Sequence, residues 1–251
     1  MGRVDFIHAS WPAPASVVAL TTTRSGGVSE GPYASFNLGA HVDDRSEHVV
    51  ENRRRLREDY LCLDAEPRWL NQVHGHTVSL LDANATSVIP TADASYTQTP
   101  GQICAVLTAD CLPVLLCNRA GTEIAAIHVG WRGCLAGILS HTVHCFQSPP
   151  SELLVWLGPC IGPEAFEVGP EVLDAFISQD PGAVAAFQPK ATQKFNANLY
   201  QLATLSLARA GVKAVYGGDY CTVSDQKRFF SYRREGGVTG RMATLIYFSS
   251  P

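Results

Sequence analysis

Short apolar runs bounded by turn-forming residues are the feature that most constrains how this chain can fold. Each run is six to eight residues long, which is the length of a strand rather than of a buried helix. Several are apolar at almost every position, a pattern typical of strands in sheets that are covered on both faces. The eight runs are SVVALTTT, HTVSLLD, QICAVLT, PVLLCN, EIAAIHV, ELLVWLG, KAVYGG and MATLIYF.

Helical patterns are fewer and do not alternate strictly with the predicted strands. We expect Ser46 to cap the first helix and Gly211 to end the last. No repeat, low-complexity segment or Pro/Gly/Ser-rich linker divides the chain, so a single domain over 1–251 is expected. Many strands with about four helices predict an α+β fold built from layered sheets. The helical segments are predicted at 46–60, 133–146, 169–180 and 196–212.

Composition excludes several classes of function. The chain is 46% apolar, with a net charge of −4, and its longest basic tract is Arg53-Arg54-Arg55, so we expect no nucleic-acid partner. The early apolar run SVVAL at 16–20 is too short for a signal peptide or a membrane span. Eight cysteines without a C-x-x-C pair are typical of free thiols in a reducing compartment. We therefore expect a cytoplasmic protein with no membrane partner.

Cys111 and His128 flank one predicted hairpin in the stretch TADCLPVLLCNRAGTEIAAIHVGWRG. If Arg119 and Ala120 form a two-residue turn, Cys111 and His128 lie directly opposite each other, with Cβ atoms roughly 5 Å apart. Three interpretations of the pair remain open. It is a buried thiol beside a core histidine, or a nucleophile with its base, or two ligands of a metal such as zinc.

Two further segments carry candidate site residues. In HVGWRG a glycine turn leads into a helix, where free N–H groups and Arg132 suit a phosphate or carboxylate. The alternative is a solvated Arg132 beside a core Trp131. In LNQVHGHTV, His74 and Gly75 predict a tight turn between strands, but spacing alone does not assign His74 to a site.

Seven motifs in order along the chain resemble those of the YfiH-type family, also called the multicopper polyphenol oxidase or laccase-domain family. The resemblance covers almost the whole chain. The motifs are TTRSGGVSEGPYASFNLGAHVDD, WLNQVHGHTV, ADASYTQTPG, TADCLPVLLC, HVGWRG, LGPCIGPEAFEVG and FFSYRREGGVTGRMATLI.

The resemblance implies an α/β/β/α layered sandwich with mixed sheets, similar to bacterial toxin deamidase domains. It also implies a zinc site, with copper as a possible substitute, whose ligands and catalytic residues correspond here to His74, Cys111 and His128. Asn198 stands where we expect an aspartate in relatives, which weakens any catalytic role for that position.

The activity implied by the resemblance is purine nucleoside chemistry. Relatives phosphorolyse adenosine, inosine and methylthioadenosine to the free base and a ribose 1-phosphate, and they deaminate adenosine. Three protein ligands leave a zinc position open for water, whose pKa the ion lowers. Arg24, Arg132 and Arg233 are the candidates for holding phosphate. The expected partners are purine nucleosides and phosphate, and the expected state is a monomer or weak homo-oligomer.

Other functions remain open. A metal-free cysteine hydrolase or amidase could use Cys111 and His128 on peptidoglycan precursors. A copper-dependent polyphenol oxidase is a further alternative, expected as a side reaction because eight histidines provide few ligands for the additional copper cluster that oxygen reduction needs. A binding module without turnover is the third.

Overall fold

The computed structural model describes residues 4–63, 65–83, 88–191 and 193–249. Its strands are β1 Phe6–His8, β2 Val17–Thr22, β3 Val78–Leu81, β4 Ala94–Thr97, β5 Ile103–Thr108, β6 Leu112–Asn118, β7 Ile124–Val129, β8 Leu153–Leu157, β9 Glu167–Val168, β10 Phe187–Pro189, β11 Phe195–Ala197, β12 Ala214–Gly217 and β13 Met242–Phe248. Its α-helices are α1 Ser46–Arg54, α2 Trp131–Leu135, α3 Ile138–Val143, α4 Pro170–Gln179 and α5 Leu199–Arg209.

The strands form two large sheets and one small one. The first sheet is antiparallel, with the order β1-β2-β13-β5. The second is mixed, with the order β12-β8-β6-β7-β4-β3; its outer pairs β12–β8 and β3–β4 are parallel. Strands β10-β11-β9 form a small separate sheet. The prediction of mixed sheets is confirmed.

Three apolar cores define the layers. One core lies between the two large sheets, where Val106 of β5 and Ile246 of β13 share a cluster with Leu115 of β6. A second lies between the mixed sheet and helices α2–α5. The third covers the outer face of the antiparallel sheet beneath the segment that follows α1. This stacking is the predicted α/β/β/α arrangement; the likeness to toxin deamidases stays a prediction.

Each of the eight predicted apolar runs coincides with most or all of a strand. Burial explains this agreement, because every residue of β5, β6, β7 and β8 is buried. The strands that the patterns missed are mostly short, and β1, β9, β10 and β11 have two or three residues each. No helix of the described residues combines the length and apolarity that crossing a bilayer requires.

The helices differ from the predictions at their ends. Arg45 occupies the N-cap of α1 and Ser46 is the first helical residue, so the predicted Ser46 cap was wrong. The predicted helix over 133–146 is two helices, because Gly137 has a φ of 85° between α2 and α3. Asn198 caps α5, with its side-chain oxygen accepting from the Gln201 amide at 3.1 Å, and Gly211 follows the helix with a φ of 88°.

The β6–β7 hairpin has a different register from the predicted one. His128 pairs with Pro113 rather than with Cys111. The turn is longer than two residues, because Asn118 donates its amide to the Glu123 carbonyl at 3.1 Å. The difference is a shift of two residues, and an even shift leaves every side chain on the same face of the sheet.

Candidate metal centre

Three side chains from separate parts of the chain meet at one end of the inter-sheet layer. One donor atom from each of His74, Cys111 and His128 lies within 4.8 Å of the others, and the described residues contain no second such group of three or more. The rings of His74 and His128 are 4.7 Å apart between centroids. The structure therefore brings together the three predicted ligands.

Strand alternation aims His128 at this point. Ile124 and Ala126 of β7 belong to the core between the sheets, whereas Ala125 and Ile127 pack toward the helices. Because side chains on a strand alternate between faces, His128 points between the sheets with Ile124 and Ala126. It is 4% exposed, so it forms the inner wall of the site.

Asp93 fixes both histidines through a single carboxylate. His128 Nδ1 lies 2.8 Å from Asp93 Oδ1, and Asp93 also accepts from the backbone amides of Val73, His74 and Gly75 at 3.2, 2.9 and 2.7 Å. The amide bonds hold the turn in which His74 has a φ of 59°. With its Nδ1–H donated to Asp93, His128 presents Nε2 to the site, an arrangement common among metal-binding histidines.

The sequence reasoning did not identify Asp93. It lies in the motif ADASYTQTPG, immediately before β4, and it is fully buried. A buried carboxylate needs hydrogen-bond or ionic partners. An acidic residue at the start of an otherwise buried strand was therefore the sequence signal that could have identified Asp93.

Cys111 is positioned by the residue that precedes it. Asp110 has a φ of 93°, accepts from the Thr222 hydroxyl at 2.6 Å and accepts from the Arg233 backbone amide at 2.6 Å. Asp110 therefore ties the Cys111 loop to the segment that carries Arg233. It does not orient His128, because Asp93 does so.

Gly130 leaves the space that the donors occupy. A Cβ at this position would lie 2.6 Å from His74 Nδ1 and 3.3 Å from Cys111 Sγ. Any larger residue would displace one of these donors. The glycine of HVGW thus serves the geometry of the site.

The charges of the donors are coupled. Burial alone raises the pKa of the Cys111 thiol, but the charge of His128 and hydrogen bonds from both histidines reverse that effect and lower the pKa. Burial lowers the pKa of His128, whereas the Cys111 thiolate and Asp93 raise it above its ordinary value. The site favours a thiolate, which is the form that binds metal.

The donor set fits a zinc-type ion. Thiolate sulfur and imidazole nitrogen are the usual ligands of Zn²⁺, and three protein ligands are typical of sites that keep an open position. His74 is exposed and Cys111 half-buried, so solvent reaches the outer side of the donor set. His74, Cys111 and His128 would hold the ion.

The donors lie in a cleft of about 560 Å³, a size suited to a small organic ligand. Its lining residues are His41, Gln72, His74, Leu107, Thr108, Ala109, Asp110, Cys111, His128, Gly130, Trp131, Arg132, Ile161, Phe166, Leu199, Tyr232, Arg233 and Arg241.

Two of the three predicted phosphate-binding arginines, Arg132 and Arg233, line this cleft. Arg24 is not among the lining residues of the described chain. Its guanidinium pairs with Glu235 at 2.9 Å and lies 4.6 Å from the Phe230 ring centroid. The structure therefore gives Arg24 partners elsewhere.

Arg241 and His41 line the cleft and were not singled out from the sequence. Arg241 donates to the carbonyls of Thr239 and Gly240 at 2.7 and 3.1 Å. Within the described ranges, no salt bridge links Arg132, Arg233 or Arg241 to a carboxylate.

Positive charge accumulates at the His41 side of the cleft. Desolvation lowers the pKa of His41, and the positive charges of Arg241 and Arg53 lower it further. Arginines without carboxylate partners are suited to bind an anion.

Comparison with known proteins places the chain in a family. Residues 18–249 match the family model described as "Multi-copper polyphenol oxidoreductase laccase". The Escherichia coli (strain K12) protein named purine nucleoside phosphorylase YfiH is 54% identical over 239 residues, covering 94% of this chain and 96% of that protein.

Two solved structures share the fold. Neisseria meningitidis protein NMB0706 superposes with a TM-score of 0.92 at 50% identity, over 98% of this chain and 99% of that one. YlmD from Geobacillus stearothermophilus has a TM-score of 0.88 at 33% identity, over 95% of this chain and 94% of its own. The chain therefore belongs to the YfiH-type family of multi-copper polyphenol oxidoreductase laccase proteins.

Proposed function

We propose that this cleft is the active site of a purine nucleoside enzyme with a zinc ion at His74, Cys111 and His128. It phosphorolyses adenosine, inosine and methylthioadenosine to the free base and the ribose 1-phosphate, and it deaminates adenosine. The observation that carries the proposal is the convergence of the three donors at a cleft that also contains arginines with no carboxylate partner among the described residues. Support comes from relatives named purine nucleoside phosphorylase in Escherichia coli and Pseudomonas aeruginosa.

The cleft offers separate chemistry for each part of the substrates. Trp131, Phe166 and Tyr232 line it and provide aromatic faces for a purine. Arg132, Arg233 and Arg241 provide donors for phosphate. A bound zinc ion supplies a Lewis acid that polarises a substrate oxygen or nitrogen and lowers the pKa of a water.

In phosphorolysis a phosphate oxygen bonds to the ribose C1′ while the bond from C1′ to the base nitrogen breaks. The electron pair of that bond leaves with the base, which then takes up a proton. The arginines place the nucleophilic anion and balance its charge. Asp93 holds the His128 ring in one orientation through its Nδ1, so this side chain is already in place for the reaction.

The test is product analysis with inosine in the presence and absence of phosphate. We expect hypoxanthine and ribose 1-phosphate only when phosphate is present. Adenosine without phosphate should yield inosine if deamination accompanies phosphorolysis. Cys111→Ala is expected to lower both rates by at least about 100-fold, on the scale of losing a key catalytic group, whereas the exposed control Asp174→Asn keeps them. Absence of phosphate-dependent base release would exclude the proposal.

The arginines can be assigned by their effect on the KM for phosphate. Arg132→Lys, Arg233→Lys and Arg241→Lys each keep the charge but lose the planar pair of donors. We expect at least one of them to raise this KM by about 10-fold, the scale of one charged hydrogen bond. Arg24→Lys is the matched control outside the cleft. A rise confined to Arg24→Lys would assign phosphate to that residue instead.

The contacts from Cys111 to His128 and from His128 to Asp93 also favour a second candidate function. A thiol beside an imidazole that a carboxylate orients is the arrangement of a nucleophile with its base. A cysteine hydrolase or amidase acting on peptidoglycan precursors would use these residues without metal. Chelator treatment separates the two: the hydrolase keeps its activity after the metal is removed, whereas the purine enzyme loses it.

The family description favours copper-dependent oxidation of polyphenols as a further alternative. Copper(II) binds most nitrogen and sulfur sites more tightly than zinc. Phenol oxidation by copper-loaded protein, measured against zinc-loaded protein, tests this activity as a side reaction of the same donors.

A further inference from the structure

The metal centre uses only one of the two histidines in the segment His74-Gly75-His76. His76 is exposed, and its ring contacts that of His141, which is exposed on α3. The two ring centroids are 4.9 Å apart, and the ring planes meet at 64°. Two imidazoles from different parts of the chain therefore meet edge to face at the surface.

Their spacing matches that of imidazoles sharing an ion. With a metal about 2.1 Å from each nitrogen and ligand angles of about 90 to 110°, the two centroids lie about 4.5 to 5.2 Å apart. The 4.9 Å separation lies within this range. It also resembles the pair in the metal centre, His74 and His128, whose rings are 4.7 Å apart at 68°.

One ring has a backbone partner that can fix its tautomer. His141 Nδ1 lies 3.3 Å from the His76 carbonyl oxygen. When Nδ1–H donates to this carbonyl, Nε2 keeps its lone pair free, which is the usual support of a metal-binding histidine. The same contact joins the segment before β3 to α3, so it also keeps the two rings close.

We propose that His76 and His141 form a second, exposed binding site for a divalent transition-metal ion, with water completing its coordination. Among the described residues no thiol, carboxylate or third histidine joins the pair within the 4.8 Å that defines the metal centre. Imidazole nitrogens without sulfur suit Cu²⁺, Ni²⁺ and Zn²⁺, and affinity is greatest for Cu²⁺. This site binds more weakly than the metal centre because it has two protein ligands and no thiolate.

Ni²⁺ titration of protein carrying one equivalent of Zn²⁺ tests the proposal. Isothermal titration calorimetry of the native chain should detect one equivalent of Ni²⁺ while metal analysis finds the Zn²⁺ still bound. We expect His141→Asn and the double variant H76N/H141N to weaken this equivalent by at least about 10-fold, because even loss of a group that supports a ligand costs about 10- to 100-fold. Zn²⁺ that stays bound to these two variants shows that their chains are folded.

His144→Asn is the matched control. His144 is also exposed and follows α3 directly, but its Nδ1 lies 2.6 Å from the Ser140 carbonyl within the same helical turn. The control should bind Ni²⁺ as the native chain does. The proposal is overturned if native protein binds no Ni²⁺, if Ni²⁺ only displaces the Zn²⁺, if H76N/H141N binds Ni²⁺ unchanged, or if H144N alone loses it.

Discussion

At Asp93 one fully buried carboxylate accepts from the His128 ring and from three consecutive backbone amides of the His74 turn. Burial alone raises the pKa of Asp93, but the hydrogen bond from His128 and the backbone amides outweigh it and lower the pKa. The carboxylate therefore stays ionised and links the two histidine ligands. Its loss affects the position of both at once.

We expect Asp93→Asn to weaken metal binding by about 10- to 100-fold, the usual cost of losing a group that orients a ligand. The amide cannot accept from all four donors, and its NH₂ group faces other N–H groups. Competition with a chromogenic chelator measures the affinity. Asp174→Asn, on the exposed face of α4, is the control; equal affinities for the two variants would contradict the role given to Asp93.

Gly130→Ala tests the space between the donors. The added methyl group would lie 2.6 Å from His74 Nδ1, so His74 has to move away and one ligand is lost. We expect metal content after purification to fall to less than half of the native value, while the circular dichroism spectrum keeps its shape. Gly182→Ala is the control, because its Cβ meets only the Asp180 carboxyl group, no closer than 3.1 Å. Full metal content in Gly130→Ala would show that the centre tolerates the methyl group.

Among elements, the β6–β7 hairpin shows that pattern alone finds both strands and misses their register. In the structure His128 points between the two large sheets with Ile124 and Ala126, and it pairs with Pro113 and not with Cys111. The register depends on the turn, in which Asn118 Oδ1 accepts from the amides of Thr122 and Glu123 at 2.8 and 3.1 Å. Because the Asn118 side chain closes the turn, the turn is longer than the position of Gly121 indicates. The predicted two-residue turn was therefore wrong.

Glu123 anchors this turn from inside the protein. It is 4% exposed and accepts from Tyr96 at 2.6 Å and from the Gln147 amide at 2.7 Å. Burial alone raises the pKa of Glu123, but donors from Ser148, Tyr96 and Gln147 outweigh it and lower the pKa. The stability that it adds is therefore complete above the pKa of an unfolded glutamate, about 4.3, and is lost as the pH falls through the lower folded pKa.

We expect Glu123→Gln to lower the free energy of unfolding by about 1 to 3 kcal/mol at pH 7, the cost of leaving buried donors without an acceptor. The difference from the native chain should narrow as the pH falls below about 4.3, because the unfolded native chain then takes up a proton at Glu123 that the folded chain binds only at lower pH. Urea unfolding at several pH values measures both. Glu164→Gln, at an exposed position, is the control. A difference that stays constant between pH 7 and pH 3.5 would contradict the assignment.

The other elements also divide into those that sequence patterns predict and those that they miss. Long, fully buried strands are predictable because their composition alone requires two covered faces. Short strands such as β9 and β11 depend on a neighbour that only the folded chain provides. Helix breaks are predictable only in part. Gly137 is visible in the sequence, but its left-handed backbone between α2 and α3 depends on how both helices pack on the mixed sheet.

At the scale of the molecule, the metal centre joins a turn, a loop and a strand at one end of the inter-sheet layer. An ion bound only by the folded chain raises stability by about 4 kcal/mol at a thousandfold excess over its Kd. We expect chelator treatment to lower Tm by roughly 10 °C, since 1 kcal/mol corresponds to about 2 to 4 °C at this size. Differential scanning calorimetry measures the change in Tm. The Tm of Cys111→Ala should not change when chelator is added. A native Tm that changes with neither chelator nor added zinc would contradict a bound ion.

The candidate site was predictable in part. His74, Cys111 and His128 came from matched motifs, because hairpin spacing related only two of them and nothing local connected His74 to the others. Asp93, His41 and Arg241 enter the site through contacts between segments distant in sequence. Arg24 and Arg233 look alike as residues beside glycine-containing turns, and only the fold separates the one paired with Glu235 from the one lining the cleft.

The three donors range from exposed His74 through half-buried Cys111 to buried His128, and this gradient gives the centre a direction. An ion can enter or leave past the outermost imidazole while the two inner atoms stay in place. Exchange of a bound ion is then expected to need movement of the His74 turn, which three backbone hydrogen bonds to Asp93 hold in place. We therefore expect the ion to leave faster than the whole chain unfolds.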